Sequence, residues 1–387
     1  MQTTNPGLLF QTSQQLTDAS DREHKLEATQ NIGSPIKLSS KILDLIISGD
    51  DAWTAESGWQ ARCVDLASGK TKRLFKGHKG PVTSVCLHTV KSTEGAPWPV
   101  LLTASWDKTV RVWDAKSGQQ LFILEGHSDF VKSVTVLPTS PPVLLSTSSD
   151  KSCRLWDLSP LQTRERPTTL QIIKDHTRPV ETAAFRVPEE LASPLTVWTA
   201  DSMGVIKEWT IPQIIVGLQA PLTFVSNLPG HETSVAQLAA VDDGLWSASM
   251  DYNAMFHGVP SATLAHPRYV KAILPHPNGM SYILTGSEDE HIRVWDTSNL
   301  ERTNKMPMSV VVAHCGEVTA FGLWTCKQEG GPLEVKVISA SLDGTLRRWS
   351  MKELLNPPEL DLKRPTTETM MTEEEERELA ELMSDDD

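Results

Sequence analysis

The amino-acid sequence predicts an all-β fold built from one four-stranded unit that is repeated along the chain. Three observations support this prediction: a histidine–valine marker, an aspartate–tryptophan marker, and short apolar runs that alternate with polar residues. The first marker is a histidine that is followed four residues later by valine. It begins six units, at His78, His127, His176, His231, His266 and His314.

The second marker is an aspartate that precedes a tryptophan by six residues. In the stretch SWDKTVRVW, residues 105–113, Asp107 precedes Trp113 at this distance. The stretches SSDKSCRLW, SEDEHIRVW and SLDGTLRRW repeat the spacing with the pairs Asp150/Trp156, Asp289/Trp295 and Asp343/Trp349. Because the spacing is constant while the residues between vary, it indicates a common structural role for the two side chains.

The strand pattern lies between these markers. In the unit that begins at His78, the runs VTSVCLH, VLLTAS, TVRVWD and QLFILEGH alternate apolar and polar residues, which is typical of half-buried strands. Asp-Lys and Asp-Gly dipeptides between such runs favour turns. Each unit therefore contains four strands.

The two markers also predict a buried hydrogen-bond network in each unit. The aspartate accepts from the histidine ring, and the other ring nitrogen meets the hydroxyl of the serine two residues before the aspartate. That hydroxyl also meets the tryptophan indole N–H, so every buried polar group is satisfied. The predicted networks are His78, Ser105, Asp107 and Trp113; His127, Ser148, Asp150 and Trp156; His266, Ser287, Asp289 and Trp295; and His314, Ser341, Asp343 and Trp349.

These markers resemble the repeat of the WD40 family, and the resemblance covers residues 37–351. It implies a β-propeller of four-stranded blades, usually seven. Six blades begin at the histidines named above. A seventh lies upstream, because DLASGKTKRLFKGH (65–78) aligns without gaps with DAKSGQQLFILEGH (114–127), which places Val64 where the later blade has Trp113.

The predicted organisation has three parts: a flexible, disordered segment 1–30, a seven-bladed propeller 31–352, and a short acidic, partly helical tail 353–387. The last unit ends at Trp349 without a fourth strand, and the resemblance implies that an N-terminal strand near Ile32–Leu38 supplies it. Such closure removes exposed sheet edges. In the tail, Thr372 and Glu375 form a capping box that predicts the start of the helix.

Two blades depart from the repeat pattern. Met203 occupies the usual aspartate position before Trp209, and Asp201 lies two residues earlier. In the next blade Asp251 is in place, but His257 stands where tryptophan is expected. The pattern therefore leaves open whether these blades keep the histidine network, and whether they have decayed or are adapted to binding.

The charge of the chain is uneven. The net charge is −13, and residues 359–387 alone hold twelve acids and three bases, a balance of −9. The propeller segment is nearly neutral, which argues against direct nucleic-acid binding over a broad surface. No run is long and apolar enough for a membrane helix, and no secretory signal begins the chain. Five scattered cysteines without a CxxC pair indicate a reducing compartment, cytoplasmic and/or nuclear.

No catalytic motif occurs in the sequence. SGKT at Ser68–Thr71 resembles the end of a phosphate loop, but the first glycine of that motif falls at Val64. GxSxG, HExxH and dinucleotide-binding fingerprints do not occur. We therefore expect no catalytic residues, no metal site and no cofactor, and we interpret the repeated histidines as structural.

A partner would contact the loops on one face of the propeller. The loop positions three residues past each histidine and just before each turn aspartate converge there. Their large apolar members are Trp106, Phe130, Met250, Tyr269 and Leu342. Tryptophan and tyrosine commonly dominate binding energy, so these five residues are the predicted partner-binding patch.

The sequence supports three non-enzymatic functions. The first is an interaction scaffold or adaptor, a monomeric propeller within a multiprotein assembly whose partners are not identified. The second is a substrate receptor of a cullin-type ubiquitin ligase, because residues 101–116 resemble a WD box with Lys116 where arginine is usual. The third is a chaperone or assembly factor for a basic client, such as a ribosomal protein or histone, held by the acidic tail.

Overall fold

The computed structural model describes residues 13–91, 96–188, 190, 193–215, 221–276, 279–300, 306–327, 333–358 and 360. Residues 31–358 form one compact unit. The predicted tail helix that begins at Thr372 lies outside the described residues.

Helix α1, Ser13–Ala28, precedes the compact unit. The sequence predicts disorder over residues 1–30, and the helix differs from that prediction. Its sequence, SQQLTDASDREHKLEA, contains several good helix formers and neither glycine nor proline.

The compact unit contains seven four-stranded antiparallel sheets, which confirms the predicted seven-bladed propeller. We number them as blades 1–7 in chain order. Blade 1 contains β2 Ile42–Ser48, β3 Asp51–Glu56, β4 Gln60–Asp65 and β5 Thr71–Lys76. Blade 2 contains β6 Val82–Val90, β7 Trp98–Ser105, β8 Val110–Asp114 and β9 Gln120–Leu124. Blade 3 contains β10 Val131–Leu137, β11 Val143–Ser148, β12 Cys153–Asp157 and β13 Thr168–Ile173.

The remaining blades repeat this order. Blade 4 contains β14 Val180–Arg186, β15 Leu195–Asp201, β16 Ile206–Ile211 and β17 Thr223–Leu228. Blade 5 contains β18 Val235–Val241, β19 Gly244–Ser249, β20 Asn253–Phe256 and β21 Ala262–Ala265. Blade 6 contains β22 Val270–Pro275, β23 Tyr282–Ser287, β24 His291–Asp296 and β25 Ser309–Val312. Blade 7 contains β26 Val318–Lys327, β27 Leu333–Ser341, β28 Thr345–Trp349 and β1 Ile36–Lys37.

Blade 7 closes the ring as predicted, because strand β1 from the N-terminal side is its outermost strand. Ile36 pairs with Leu346 of β28, and Lys37 pairs with Thr345. The first strands of blades 7 and 1 contact each other, and the Thr319 hydroxyl donates to the Ile42 carbonyl at 2.9 Å. The two ends of the propeller are thereby joined by hydrogen bonds.

An apolar cluster lies at each junction between neighbouring blades. Trp113 of blade 2 packs in the cluster shared with blade 1, and Trp156 of blade 3 packs in the cluster shared with blade 2. Trp295 likewise packs against residues of blade 5. The repeated tryptophan therefore has a second role, since it fills the junction with the preceding blade.

A short helix, α2 Met351–Leu355, follows the last strand. The Ser350 hydroxyl accepts from the Glu353 backbone N–H, and the Glu353 carboxylate accepts from the Ser350 backbone N–H. Met351 and Leu354 are buried in the cluster between blades 6 and 7. The capped helix therefore packs against the propeller at the start of the predicted tail.

Candidate protein-binding face

The buried network of blade 2 shows how the repeated side chains are connected. His78 Nδ1 lies 2.8 Å from the Asp107 carboxylate, and His78 Nε2 lies 2.7 Å from the Thr103 hydroxyl. The Trp113 indole N–H donates to the same hydroxyl at 2.9 Å. Since an ionised carboxylate can only accept, His78 Nδ1–H donates to Asp107, and the unprotonated Nε2 of the neutral ring accepts from the Thr103 hydroxyl.

The hydroxyl in this network is Thr103, so the prediction of Ser105 was wrong. Ser105 is also fully buried, but its hydroxyl donates to the Gly80 carbonyl at 3.1 Å and accepts from the Asp107 backbone N–H. Thr103 and Ser105 lie two residues apart on β7, so both point to the same face of the sheet. The residue nearer the middle of the strand is the one that reaches the tryptophan.

The same correction applies to the other predicted serines. Ser148 and Ser341 donate to backbone carbonyls of Asp129 and Gly316, and Ser287 accepts from the Asp289 backbone N–H. The network hydroxyl lies ten residues before the tryptophan in each blade. The hydroxyls at this position are Thr103, Ser146, Thr199, Thr285 and Ser339.

Blades 3 and 7 contain the same chain of donors and acceptors. His127 Nδ1 lies 2.9 Å from Asp150, and His314 Nδ1 lies 3.0 Å from Asp343. Burial by itself raises the pKa of each carboxyl. The bonds from histidine, hydroxyl and backbone nevertheless hold both pKa values well below the ordinary value. The aspartates therefore stay ionised inside these blades.

Blade 4 keeps the full network although its aspartate is displaced in sequence. His176 lies 3.0 Å from Asp201 and 2.8 Å from the Thr199 hydroxyl, which also accepts from Trp209. Asp201 replaces the serine of the other blades and reaches the histidine from that position. Met203, at the usual aspartate position, is free of this role and is half exposed, at 52%.

Blade 5 replaces the tryptophan donor with a second histidine. His231 lies 2.8 Å from Asp251 and 2.6 Å from the Ser247 hydroxyl, and His257 Nε2 lies 2.7 Å from the same hydroxyl. The carboxylate fixes His231 as the Nδ1–H tautomer, so Ser247 donates to His231 and accepts from His257 Nε2–H. Burial and the neighbouring His231 lower the pKa of His257 to about 4.

Blade 6 lacks the predicted His266–Asp289 link. His266 Nδ1 donates instead to the Leu264 carbonyl at 3.0 Å, while its Nε2 meets Thr285 at 2.8 Å. Asp289 accepts two bonds from the Arg293 guanidinium, at 3.1 and 2.6 Å. Asp289 is therefore paired with the permanently charged Arg293 and not with His266, so that part of the predicted network was wrong.

Blade 1 has no histidine in this position and uses a buried ion pair. Arg62 donates to both oxygens of Glu56, which is fully buried. The Thr54 hydroxyl, at the network position, and the Gln60 amide also donate to Glu56, at 3.2 and 2.8 Å.

One backbone hydrogen bond, repeated in all seven blades, defines what we call the upper face. The residue that opens the turn between the second and third strands donates to the carbonyl of the residue that leads into the first strand. The pairs are Ser57 to Lys41, Trp106 to Pro81, Ser149 to Phe130, Ser202 to Pro179, Met250 to Ser234, Glu288 to Tyr269 and Leu342 to Glu317. Both sets of loop positions singled out in the sequence therefore lie on this face.

Two of the predicted partner-binding residues form an exposed aromatic pair across blades 2 and 3. Trp106 and Phe130 stack with ring centroids 5.2 Å apart, and they are 43% and 38% exposed. Tyr269 stacks on Tyr252 across blades 5 and 6, with centroids 5.3 Å apart. Met250 and Leu342 are only partly exposed. The structure thus places the five residues on one face and pairs two of them.

Sequence reasoning missed Trp59 and Tyr252. Both occupy the turn position five residues before the tryptophan or its replacement, where every blade has a positive φ. The residues there are Trp59, Lys108, Lys151, Gly204, Tyr252, Glu290 and Gly344. The φ values of 64° and 69° at Trp59 and Tyr252 are costly for aromatic residues, yet the side chains are 54% and 42% exposed. The sequence could have revealed the turn position of Trp59, because the gap-free alignment of blades 1 and 2 places Trp59 opposite the turn residue Lys108.

The thiols of Cys63 and Cys86 are not activated as nucleophiles. Burial raises the pKa of Cys63 to about 12 and that of Cys86 to about 11. Among the described residues, no group of three or more His, Cys, Asp or Glu side chains could hold a metal ion. No helix in the described part of the chain is long and apolar enough to cross a membrane.

Comparisons with known proteins give both a family and its relatives. The profile of the family described as "WD domain, G-beta repeat" matches residues 69–114, 118–157 and 258–296. An uncharacterized WD repeat-containing protein of Schizosaccharomyces pombe is 29% identical over the full length of both chains. Nuclear distribution protein PAC1 of Candida albicans is 23% identical over 72% of this chain and 59% of its own length. PAC1-2 of Postia placenta is 37% identical over 19% of this chain and 20% of its own length.

Proposed function

Because this chain belongs to the WD40-repeat family of β-propellers, we propose that it is a non-catalytic scaffold or adaptor that binds protein partners through its upper face. Propellers of this family generally bind proteins. The six repeat histidines are buried in the blade networks, where each is bonded to a carboxylate or a backbone carbonyl. The upper face of the propeller presents a surface of loops to solvent.

The observation that carries the proposal is the exposed Trp106–Phe130 pair. Its rings stack across the junction between two blades and remain about two-fifths exposed. Aromatic side chains that are already ordered lose little conformational entropy on binding, and they commonly dominate interface energy.

The strained turns of blades 1 and 5 support the same conclusion. Glycine occupies the left-handed position in blades 4 and 7, so the fold accepts glycine there. Trp59 and Tyr252 cost stability at that position and place large rings in solvent. A binding role explains why aromatic residues stand there.

The test is affinity purification of the full chain from the cells that express it, with three upper-face rings removed: Trp106→Ala, Phe130→Ala and Tyr269→Ala. We expect co-purified proteins to be lost while the thermal unfolding midpoint stays close to that of the wild type. The matched control removes three exposed apolar side chains from the opposite ends of the blades: Val187→Ala, Ile214→Ala and Val259→Ala. If every partner survives the upper-face change, the proposal is wrong.

The other two functions receive less support from the described residues. In the stretch that resembles a WD box, the Asp114 carboxylate accepts from the backbone N–H groups of Lys116 and Ser117, as a turn residue in any repeat would. The tail that motivates a basic client lies almost entirely outside the described residues. Among the described residues, the upper face supplies a surface of suitable chemistry for the scaffold function alone.

A further inference from the structure

We propose that one half of the upper face, the basic sector, binds an acidic segment of a protein partner that also carries aromatic or aliphatic side chains. The basic sector comprises the upper loops of blades 1–3 and the loop that enters blade 4. This inference rests on the proposed function and deepens it, because it names the chemistry of the partner and the part of the face that it occupies.

Basic and acidic residues are unevenly distributed over the upper face. The exposed cations of the loops in the basic sector are Lys41, Lys79, Lys108, Lys151, Lys174 and Arg178. The acids in these loops outside the buried networks are Glu125 and Asp175, which are exposed, and Asp129, which is half-buried and accepts from the Phe130 backbone N–H. The loops of the other half hold Glu232, Glu288, Glu290 and Glu317, together with Arg268. Lys76, at the upper end of β5, adds a further cation to the basic sector.

Most of the basic groups are available to a partner. Lys108 Nζ donates to the Ser128 carbonyl at 2.9 Å, which holds its ammonium close to the aromatic pair. The side chains of Lys79 and Lys151 are exposed and stand on either side of Trp106 and Phe130 in chain order. Carboxylates of a partner can therefore meet lysines around an apolar centre, an arrangement that gives orientation and fast association.

The apolar centre consists of Trp59, Trp106 and Phe130. These are the large exposed aromatic residues of the basic sector, and each lies on a loop of the upper face. The other half of the face has its own aromatic pair, Tyr252 and Tyr269, but most charged residues of the loops in that half are glutamates. Charge therefore distinguishes two otherwise similar aromatic surfaces and assigns an acidic partner to the basic one.

A protein segment fits this sector better than a nucleic acid does. Trp106 and Phe130 stack on each other at an interplanar angle of 21°, so one face of each ring is already covered. Base stacking needs free ring faces, whereas an aliphatic or aromatic side chain can pack against the ring edges.

The experiment selects peptides from a random displayed library on the immobilised full chain and then measures the affinity of the enriched peptides by fluorescence anisotropy. We expect the enriched sequences to combine Asp or Glu with Trp, Phe or Leu, and their affinity to fall as salt is added. Lys79→Glu with Lys151→Glu should weaken binding at least about tenfold. Lys70→Glu with Lys116→Glu, the same charge change at turns on the opposite ends of the blades, should leave binding unchanged.

A second pair of variants separates binding from folding. Trp59→Gly and Tyr252→Gly each place glycine at a left-handed turn position, so both should raise the thermal unfolding midpoint. Only Trp59→Gly removes an anchor of the basic sector, and we expect it alone to weaken acidic peptides, by about tenfold or more. A loss of binding in a variant that is more stable than the wild type cannot be attributed to unfolding.

Several outcomes would overturn this inference. Enriched peptides that are neutral or basic, or that are insensitive to the Lys79/Lys151 change, would refute the acidic partner while the scaffold function stands, provided that the upper-face triple variant still abolishes binding. No enrichment at all, or tighter binding of a single-stranded RNA oligonucleotide to the same residues, would refute it as well. Peptides that bind equally to the triple variant would instead refute the proposed function.

Discussion

Blades 3 and 5 form equivalent buried hydrogen bonds with different residues. In blade 3 the buried Ser146 hydroxyl lies between His127 and the Trp156 indole. In blade 5 the Ser247 hydroxyl lies between His231 and a second histidine, His257. Both hydroxyls accept one bond and donate one, so the chain of donors and acceptors is the same.

The comparison teaches that the network hydroxyl keeps its hydrogen bonds while the residues that supply the partners change. Blade 4 supplies its carboxylate from Asp201 rather than from the usual position, and blade 1 replaces the histidine network with the Glu56–Arg62 pair. A buried polar group without a partner costs about 1–3 kcal/mol, so these substitutions within the networks are accompanied by matching partners. The upper face has no such constraint and differs from blade to blade.

The largest effect is expected in blade 1. Arg62→Ala leaves the Glu56 carboxylate buried without its cation, which should lower the free energy of unfolding by about 3–5 kcal/mol. Denaturation by urea, followed by tryptophan fluorescence, measures this change. Replacing the pair together, with Glu56→Gln and Arg62→Leu, should recover at least half of the loss. A double variant as unstable as Arg62→Ala would show that the ion pair is not the cause.

Blade 5 should be sensitive to acid because of its second histidine, His257. The pKa of His257 is lowered to about 4, whereas an exposed histidine has a pKa near 6.5. The unfolded chain therefore binds a proton that the folded chain does not as the pH falls from about 6.5 to 4. Stability that is present above this window is lost across it, by up to about 3 kcal/mol.

The measurement for blade 5 is the free energy of unfolding at several pH values between 7 and 4. His257→Gln keeps a neutral N–H donor for Ser247 and removes the titration, so its stability should fall less steeply than that of the wild type. His266, whose pKa burial and Arg293 also lower to about 4, stays in both proteins and accounts for part of the remaining slope. Parallel pH curves for the two proteins would contradict the assignment of His257.

A smaller effect distinguishes the two hydroxyls of blade 2. Thr103→Val keeps the shape of the side chain but leaves His78 Nε2 and the Trp113 indole N–H without their shared partner, at a cost of about 2 kcal/mol. Ser105→Ala removes bonds to backbone groups alone and should cost about 1 kcal/mol. Equal losses in urea denaturation, or a larger loss for Ser105→Ala, would restore the original assignment.

The repeat pattern predicted the architecture because strands and turns follow from local spacing. The blade count and the hidden first blade came from alignment of the markers, whereas the closing strand near Ile32–Leu38 was implied by the resemblance to the WD40 family. The alignment could not identify the partners of each histidine, because residues two apart on a strand share a face and both can reach the histidine ring. Thr103 replaces Ser105 for this reason, and Asp201 acts in place of residue 203.

The candidate binding face was only partly predictable. Trp106 and Phe130 were found from their loop positions, but their mutual stacking depends on the distance between two blades, which the sequence does not contain. Trp59 and Tyr252 were missed because the left-handed turn is marked by glycine in only two blades, Gly204 and Gly344. In blade 6, Arg293 donates to Asp289 while His266 donates to the Leu264 carbonyl, and the spacing of the markers does not contain this exchange of partners.

The measurement that tests the central claim most directly is site-specific photo-crosslinking in the cells that express the protein. A benzophenone amino acid replaces Trp106 on the upper face in one protein, and Ile214, which is also exposed, on the opposite ends of the blades in another. The account predicts that light produces a discrete crosslinked partner at position 106 and none at position 214. Crosslinking of the same partner at position 214, with none at 106, would contradict it.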